Sequence, residues 1–134
     1  MKPVLQEDPL GCAVACVACI LNVSYQDALV LFRDGKRRAR TKANFYCKEI
    51  VQLLNIAGLN YEYKYIKDRI RQKIYKTGSI VFIKRSRKYP VGHYLCRTRE
   101  GWMDSWINFP SENRKAGLRK RLPGKSVYLI FPLI

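Results

Sequence analysis

The pattern of hydrophobic and polar positions predicts helices in the first half of the chain. Residues 12–20 contain only apolar residues and cysteines, which predicts a helix buried on every face. Ser24 has an acidic residue three positions later, a near capping box, and predicts a second helix that runs to about Arg33. Apolar positions spaced for one helix face recur within Asn44–Ala57, and Gly58 favours a stop there.

Strand patterns dominate the second half of the chain. Tyrosines alternate with charged residues after position 60, and β-branched residues are concentrated near position 80. A short basic helix is expected between these two segments, from Asp68 to about Tyr75. The expected strands are Asn60–Ile66, Ile80–Ile83, Gly92–Arg97, Trp102–Trp106 and Ser126–Phe131. Helices followed by an antiparallel sheet make an α+β fold.

Three stretches are basic, at 36–42, 84–88 and 114–125. The first shows no apolar pattern, and we expect a solvated loop there, with a contact surface as the alternative, while the third is expected to be irregular. The whole chain has 26 Lys and Arg against 10 Asp and Glu, a net charge of +16. Such a field attracts nucleic acid, anionic membranes or acidic proteins without choosing among them. The basic residues that such a partner would contact are Lys36, Arg37, Arg38, Arg40, Lys84, Arg85, Arg87, Lys88, Arg119, Lys120 and Arg121.

Cys12 stands at the predicted start of the buried helix. Pro9 and Gly11 favour a turn immediately before it, so the helix is expected to begin near Cys12. The unpaired N–H groups and the positive end of the helix dipole favour a thiolate at this position. The same N–H groups can hold a developing oxyanion, and Gln6 can fold back to add a side-chain amide donor. These two residues are therefore candidates for acyl-transfer chemistry.

The segment that begins at Gln6 resembles the nucleophile motif of C39-type cysteine peptidases. Their pattern is a glutamine, a short turn and then Cys-Gly-x-Ala-Cys-x-Ala opening a buried helix, and here Ala13 replaces the usual glycine. These peptidases have a papain-like fold and are best known as the leader-peptide-cleaving domains of bacteriocin exporters. The resemblance implies a papain-like α+β fold with N-terminal helices, including the buried nucleophile helix, packed on a C-terminal antiparallel sheet that supplies a histidine.

His93 is the only histidine, so any cysteine–histidine chemistry must use it. The C39-type and wider papain-like families also have a Gly-His or similar pair at this point. A half-buried histidine at a strand end, without a catalytic role, is the alternative. If the hairpin loop is the two residues 99–100, Leu95 pairs with Asp104, and Asp104 lies diagonal to His93 on one face. Asp104 can then orient the imidazole, whereas an odd-length loop would place it on the opposite face.

Trp106 follows Asp104 by two residues, and many papain-like enzymes have a tryptophan there that shields the orienting bond from water. Plain core packing is the alternative for this side chain. Asn108 is a second candidate to orient the histidine. C39 members commonly have Asp-Pro where this chain has Asp104-Ser105. We predict a site of Cys12, His93 and Asp104, with Gln6 as oxyanion donor.

The resemblance implies a stand-alone cysteine peptidase that attacks a peptide carbonyl, with no cofactor. The same residues also serve acyl and amide transferases, so a non-peptidase transferase is one alternative. A basic module that binds nucleic acid or an acidic protein on the same scaffold is the other. Tyr89, Trp102 and Trp106 would then supply stacking groups.

The five cysteines do not fit a disulfide framework, because the count is odd and the first three have helical spacing. Cys12, Cys16 and Cys19 lie on one helix face, but zinc is not expected because the usual short-knuckle spacing is missing. Buried thiols at Cys16 and Cys19 are the expected alternative. We further expect one domain over residues 1–134, no signal peptide or transmembrane segment, and a cytoplasmic location.

Overall fold

The computed structural model describes residues 1–133. The helices come first, as α1 (Cys12–Leu21), α2 (Tyr25–Leu29), α3 (Gly35–Thr41) and α4 (Cys47–Ile56). A 3₁₀ helix spans Asp68–Tyr75 after the first strand. The strands are β1 (Tyr61–Tyr65), β2 (Ile80–Ile83), β3 (His93–Arg97), β4 (Trp102–Asp104), β5 (Gly117–Arg119) and β6 (Ser126–Pro132). The predicted α+β arrangement of N-terminal helices and an antiparallel sheet is confirmed.

The six strands form one antiparallel sheet in the order β1-β6-β2-β3-β4-β5. Side chains alternate between its two faces, so β2, β3, β4 and β6 each contribute to two hydrophobic clusters. Ile80 and Ile130 pack in one cluster with the fully buried residues of α1, while Val81 and Leu129 belong to the other cluster. Because α1 is apolar all round, it is enclosed between the sheet and the other helices.

Polar contacts to α2 and α3 hold the turn before α1 in place. The Tyr25 hydroxyl donates to Asp8 Oδ2 at 2.8 Å, and Arg40 Nε lies 3.4 Å from Asp8 Oδ1. The Leu10 N–H donates to the Ala39 carbonyl at 2.8 Å, which ties the turn to α3. Gly11 is then the N-cap residue of α1. These contacts fix where α1 begins and therefore where Cys12 lies.

Gly11 lies so close to Tyr25 that we expect Gly11→Ala to destabilise the protein. An added Cβ would lie 2.0 Å from the Tyr25 hydroxyl oxygen, and overpacking of this kind costs about 1–3 kcal/mol of the free energy of unfolding. Urea unfolding of Gly11→Ala, Tyr25→Phe and the double variant measures the effect. Tyr25→Phe removes the clashing oxygen. The free energy of unfolding should therefore fall by less in the double variant than the sum of its decreases in the two single variants. Strict additivity would contradict the clash.

The structure corrects the prediction of a loop at 36–42, because this segment is helix α3. Its Ala39 is fully buried, and its Arg38 bonds to Glu49 and lies over the Phe45 ring. A single buried apolar side chain is too weak a pattern to predict a helix, and long-range contacts stabilise it instead. The second predicted helix is also shorter than expected, because the chain after Leu29 continues in turns with i→i+3 bonds.

A third correction concerns residues 114–125, which we expected to be irregular throughout. Gly117–Arg119 forms β5 and pairs with β4, with Asp104 opposite Gly117. Only three residues pair, so the strand has no alternating pattern that the sequence could reveal. No helix within residues 1–133 is long and apolar enough to cross a membrane.

Candidate active site

The packing of α1 against β3 brings Cys12 and His93 together. Cys12 is the first residue of α1, and His93 is the first residue of β3. The Tyr94 backbone N–H donates to the Cys12 sulfur at 3.5 Å, across 82 positions of sequence. The imidazole of His93 also interacts with the Cys12 side chain. Cys12 is half-buried and His93 is buried, so the pair lies at the inner end of an opening rather than on the open surface.

Asp104 binds the opposite side of the imidazole. Cys96 pairs with Met103 and Arg97 with Trp102, which is the register that the two-residue loop predicted. His93 Nε2 lies 2.7 Å from Asp104 Oδ1, and the Trp106 backbone N–H donates to the same oxygen at 3.0 Å. Because Nε2 is bound to the carboxylate, Nδ1 is the ring nitrogen that remains for proton exchange with Cys12.

Arg119 is a member of this cluster that the sequence did not indicate. Its Nε donates to Asp104 Oδ2 at 2.7 Å, and its Nη2 donates to the Ile107 carbonyl at 3.0 Å. Asp104 is fully buried, so this second ion pair holds the carboxylate charged and fixes its plane. The position of Arg119 follows from the pairing of β5 with β4, and no local motif marks it. It was expected only as part of a basic surface cluster.

Gln6 lines the same cleft as Cys12, but its amide is engaged within the chain. Its Nε2 donates to the Asp8 and Pro9 carbonyls, each at 3.1 Å, and its Oε1 accepts from the Ser105 hydroxyl at 2.7 Å. Both amide hydrogens therefore have partners. To act as an oxyanion donor, Gln6 must break one of these two bonds and donate to the substrate oxygen instead.

The ring that covers His93 is Tyr89. The two rings stack with centroids 4.9 Å apart and an interplanar angle of 6°. The Tyr89 hydroxyl is buried beside Arg119 without a well-formed hydrogen bond. Trp106, which we predicted to shield the Asp104–His93 bond, contacts Phe109 edge-on at 4.8 Å and contributes its backbone N–H to Asp104. Tyr89 was considered in the sequence only as a stacking group for nucleic acid.

Asn108, the second candidate to orient the histidine, makes other contacts. Its Oδ1 accepts from the Lys115 N–H at 2.9 Å, and its Nδ2 donates to the Asn113 carbonyl at 2.8 Å. Asn108 therefore supports the loop after β4, while Asp104 is the residue bound to the imidazole.

The remaining cysteines are also free thiols but lie in different surroundings. Cys16 and Cys96 are fully buried in the core, and burial raises the pKa of the Cys16 thiol well above its usual value. Cys47 is half-buried, with its sulfur 3.8 Å from the Tyr94 hydroxyl, and burial raises its pKa too. Within residues 1–133, no group of three or more His, Cys, Asp or Glu side chains is arranged to hold a metal ion.

The electrostatics of the site favour a charged imidazole. Burial lowers the pKa of His93, but the charge of Cys12 and the hydrogen bond to Asp104 outweigh it and raise the value to about 9. Burial likewise opposes the ionised form of Asp104, yet His93 and Arg119 lower its pKa to about 2. The raised pKa of His93 stabilises the fold below about pH 6.5, and this contribution is lost as the pH rises through about 9. The contribution of Asp104 is lost as the pH falls through about 2.

Because the chain has one histidine, NMR can follow the titration of His93 without assignment by mutation. We expect the imidazole Cε1–H shift to report a pKa of about 9 in the folded protein. In Cys12→Ala the value should fall, since the attracting charge is removed while burial and Asp104 remain. Equal values in both proteins, or a value near 6.5 in the unmodified chain, would contradict the interaction of the two side chains.

Cys12 and His93 open into a cleft of about 830 Å³. Its walls come from the connection between α3 and α4 and from the connection between β2 and β3, together with aromatic side chains of the sheet. Aromatic residues dominate these walls, including Phe45, Tyr46, Phe82 and Trp106. A peptide or another extended ligand can therefore reach the sulfur of Cys12 along an apolar path.

No protein-family model matches this chain, and no curated protein is significantly similar in sequence.

Proposed function

We propose that the protein is a cysteine peptidase of the C39-like type, with Cys12 as nucleophile, His93 as general acid and base, and Asp104 as the group that orients His93. The observation that carries this proposal is the arrangement at the inner end of a large cleft, which Cys12 and His93 both line: the N–H of Tyr94, next to His93, donates to the Cys12 sulfur, and His93 Nε2 binds Asp104 Oδ1. A nucleophile beside a base that a third group orients is the general arrangement for covalent acyl transfer.

The fold that we propose is papain-like. Three features support it: the thiol lies at the N-terminus of a buried helix, the histidine begins a strand packed on that helix, and the carboxylate lies on the next strand. In addition, Tyr89 stacks on the imidazole and Arg119 donates to the carboxylate. The aromatic ring excludes water from the imidazole, and the guanidinium keeps Asp104 ionised.

In the proposed mechanism the Cys12 sulfur attacks the carbonyl carbon of a peptide bond, and the carbonyl oxygen becomes an oxyanion. The N–H of Cys12 at the start of α1 stabilises that charge, and Gln6 assists once it releases the Asp8 or Pro9 carbonyl. His93 then donates its proton to the leaving amine, the C–N bond breaks, and a thioester forms. Water, deprotonated by His93, attacks the thioester, which releases the acid and restores the thiolate–imidazolium pair.

Selective labelling tests the nucleophile directly. A small alkylating reagent at neutral pH should modify Cys12 before the other half-buried thiol, Cys47, as located by mass spectrometry of the digested protein. The matched controls are Cys12→Ala, which should abolish the fast phase, and Cys47→Ala, which should leave it unchanged. His93→Ala should slow the labelling of Cys12 because the cation that stabilises its thiolate is lost. Equal rates at Cys12 and Cys47 would overturn the proposed nucleophile.

A further inference from the structure

The walls of the cleft beside Cys12 carry positive charge only. Besides His93, three cations line it, namely Lys42, Lys48 and Arg85, and no Asp or Glu of residues 1–133 does so. Lys42 follows the end of α3 and Lys48 is the second residue of α4, whereas Arg85 belongs to the segment that joins β2 to β3. The positive charge is therefore supplied by two separate walls of the same cleft.

These three cations are not used to hold the fold together. Their side chains are exposed and form no ion pair or hydrogen bond in the described part of the chain. The carboxylates that do form ion pairs take other cations, since Asp34 binds Arg37 and Glu49 binds Arg38. Asp34 and Glu49 thus neutralise Arg37 and Arg38, and the three cations of the cleft remain available to a ligand.

Exposed aromatic rings line the cleft together with these cations. Tyr46 is 67% exposed, and Tyr63 and Tyr128 are exposed at the same cleft. Exposed aromatic rings in a concave site bind apolar side chains and the flat faces of peptide bonds, while neighbouring cations bind carboxylates. A ligand that binds both the aromatic rings and the cations carries bulky apolar groups and negative charges close together.

We propose that the cleft binds a peptide segment rich in Asp and Glu with apolar side chains between them, and that this segment flanks the bond cleaved at Cys12. This substrate class rests on the proposed function, but its binding does not require catalysis. The cations on the two walls hold the carboxylates of the segment, the tyrosines hold its apolar side chains, and its backbone passes Cys12. Long-range attraction by the net charge of +16 accelerates the encounter.

Binding is tested with Cys12→Ala protein and three fluorescent twelve-residue peptides of the same length and apolar content. One carries glutamates, one lysines and one glutamines at the polar positions, and anisotropy gives the dissociation constants. At low salt the acidic peptide should bind at least about ten-fold more tightly than the other two, and its advantage should shrink as salt screens the charges. No preference for the acidic peptide would overturn the proposal.

Two triple variants, made in the Cys12→Ala protein, distinguish the effect of the cleft cations on peptide binding from the effect of the net charge of the protein. Lys42→Glu/Lys48→Glu/Arg85→Glu should weaken acidic-peptide binding at least about ten-fold. The control Lys67→Glu/Arg69→Glu/Arg99→Glu changes the net charge equally at exposed positions outside the cleft and should have a much smaller effect. Equal losses in the two variants would overturn the proposal. Tighter binding of a single-stranded oligonucleotide to the same cleft, lost in the first variant, would also overturn it in favour of a nucleic-acid ligand.

Hydrolysis distinguishes the failure of this inference from the failure of the proposed function. Cleavage of all three peptides by unmodified protein at equal rates would overturn the substrate class and leave the peptidase intact. Tight binding of the acidic peptide in the cleft, without cleavage and without selective labelling of Cys12, would overturn the peptidase and leave the binding site supported.

Discussion

Replacing His93 by alanine should lower the rate of peptide hydrolysis at neutral pH by about 10²–10⁴-fold. The variant loses the group that protonates the leaving amine and the cation that faces the Cys12 sulfur. Cleavage of a pool of synthetic peptides, followed by mass spectrometry, measures the effect. In the unmodified protein the rate should fall as the pH rises through about 9, because the imidazolium then loses the proton that it must donate.

Two controls make this result specific to the chemistry. Cys47→Ala removes a half-buried thiol that no proposed step uses, so it should retain the rate of the unmodified protein. Tyr89→Phe keeps the ring that stacks on His93 and removes a hydroxyl that has no well-formed hydrogen bond, so its rate should change by no more than a few-fold. A His93→Ala protein that folds and retains more than about a tenth of the rate would contradict the proposed role of the imidazole.

The second large effect is expected at Asp104, where Asp104→Asn should also lower the hydrolysis rate by about 10²–10⁴-fold. The carboxylate accepts from His93 and Trp106 at one oxygen and from Arg119 at the other. An asparagine has only one accepting oxygen, so its amide N–H₂ group must face a donor on one of the two sides. The pKa of His93, measured by NMR, should fall in the same variant because the negative partner is lost.

A double variant separates the role of Arg119 from that of the carboxylate. In Asp104→Asn/Arg119→Met the donor that faces the amide group is gone, so the asparagine oxygen can turn to His93 and Trp106. We expect the double variant to hydrolyse peptides at least about ten-fold faster than Asp104→Asn alone. If the two variants are equally slow, the interaction of Arg119 with Asp104 does not control the orientation of the imidazole.

Much of the framework of this site could be predicted from local sequence, since each part depends on neighbouring residues. The start of α1 at Cys12 follows from the turn residues before it and the apolar run after it. The register of the β3–β4 hairpin follows from its two-residue loop, and that register puts Asp104 on the face of His93. Because side chains alternate strictly along strands, a short loop was enough to predict which residue reaches the imidazole.

Features that depend on distant segments could not be predicted in this way. Arg119 reaches Asp104 only because the three residues of β5 pair with β4, and so short a strand has no periodicity of its own. Helix α3 is stabilised by its buried Ala39 and by the bonds of Arg38 to Glu49, both contacts between segments. The amide of Gln6 is held by nearby carbonyls and by Ser105, 99 positions away, which its sequence context did not indicate.

The sequence by itself therefore determined that helices precede an antiparallel sheet, and it indicated three candidate residues, Cys12, His93 and Asp104. The tertiary structure alone decided that Cys12 lies beside the start of β3, that Tyr89 covers the imidazole, and that Arg119 holds the carboxylate. The physical reason is that helix starts and hairpin registers depend on the conformational preferences of adjacent residues. Stacking and buried ion pairs depend instead on which surfaces the folded chain brings together, and those contacts join residues far apart in sequence.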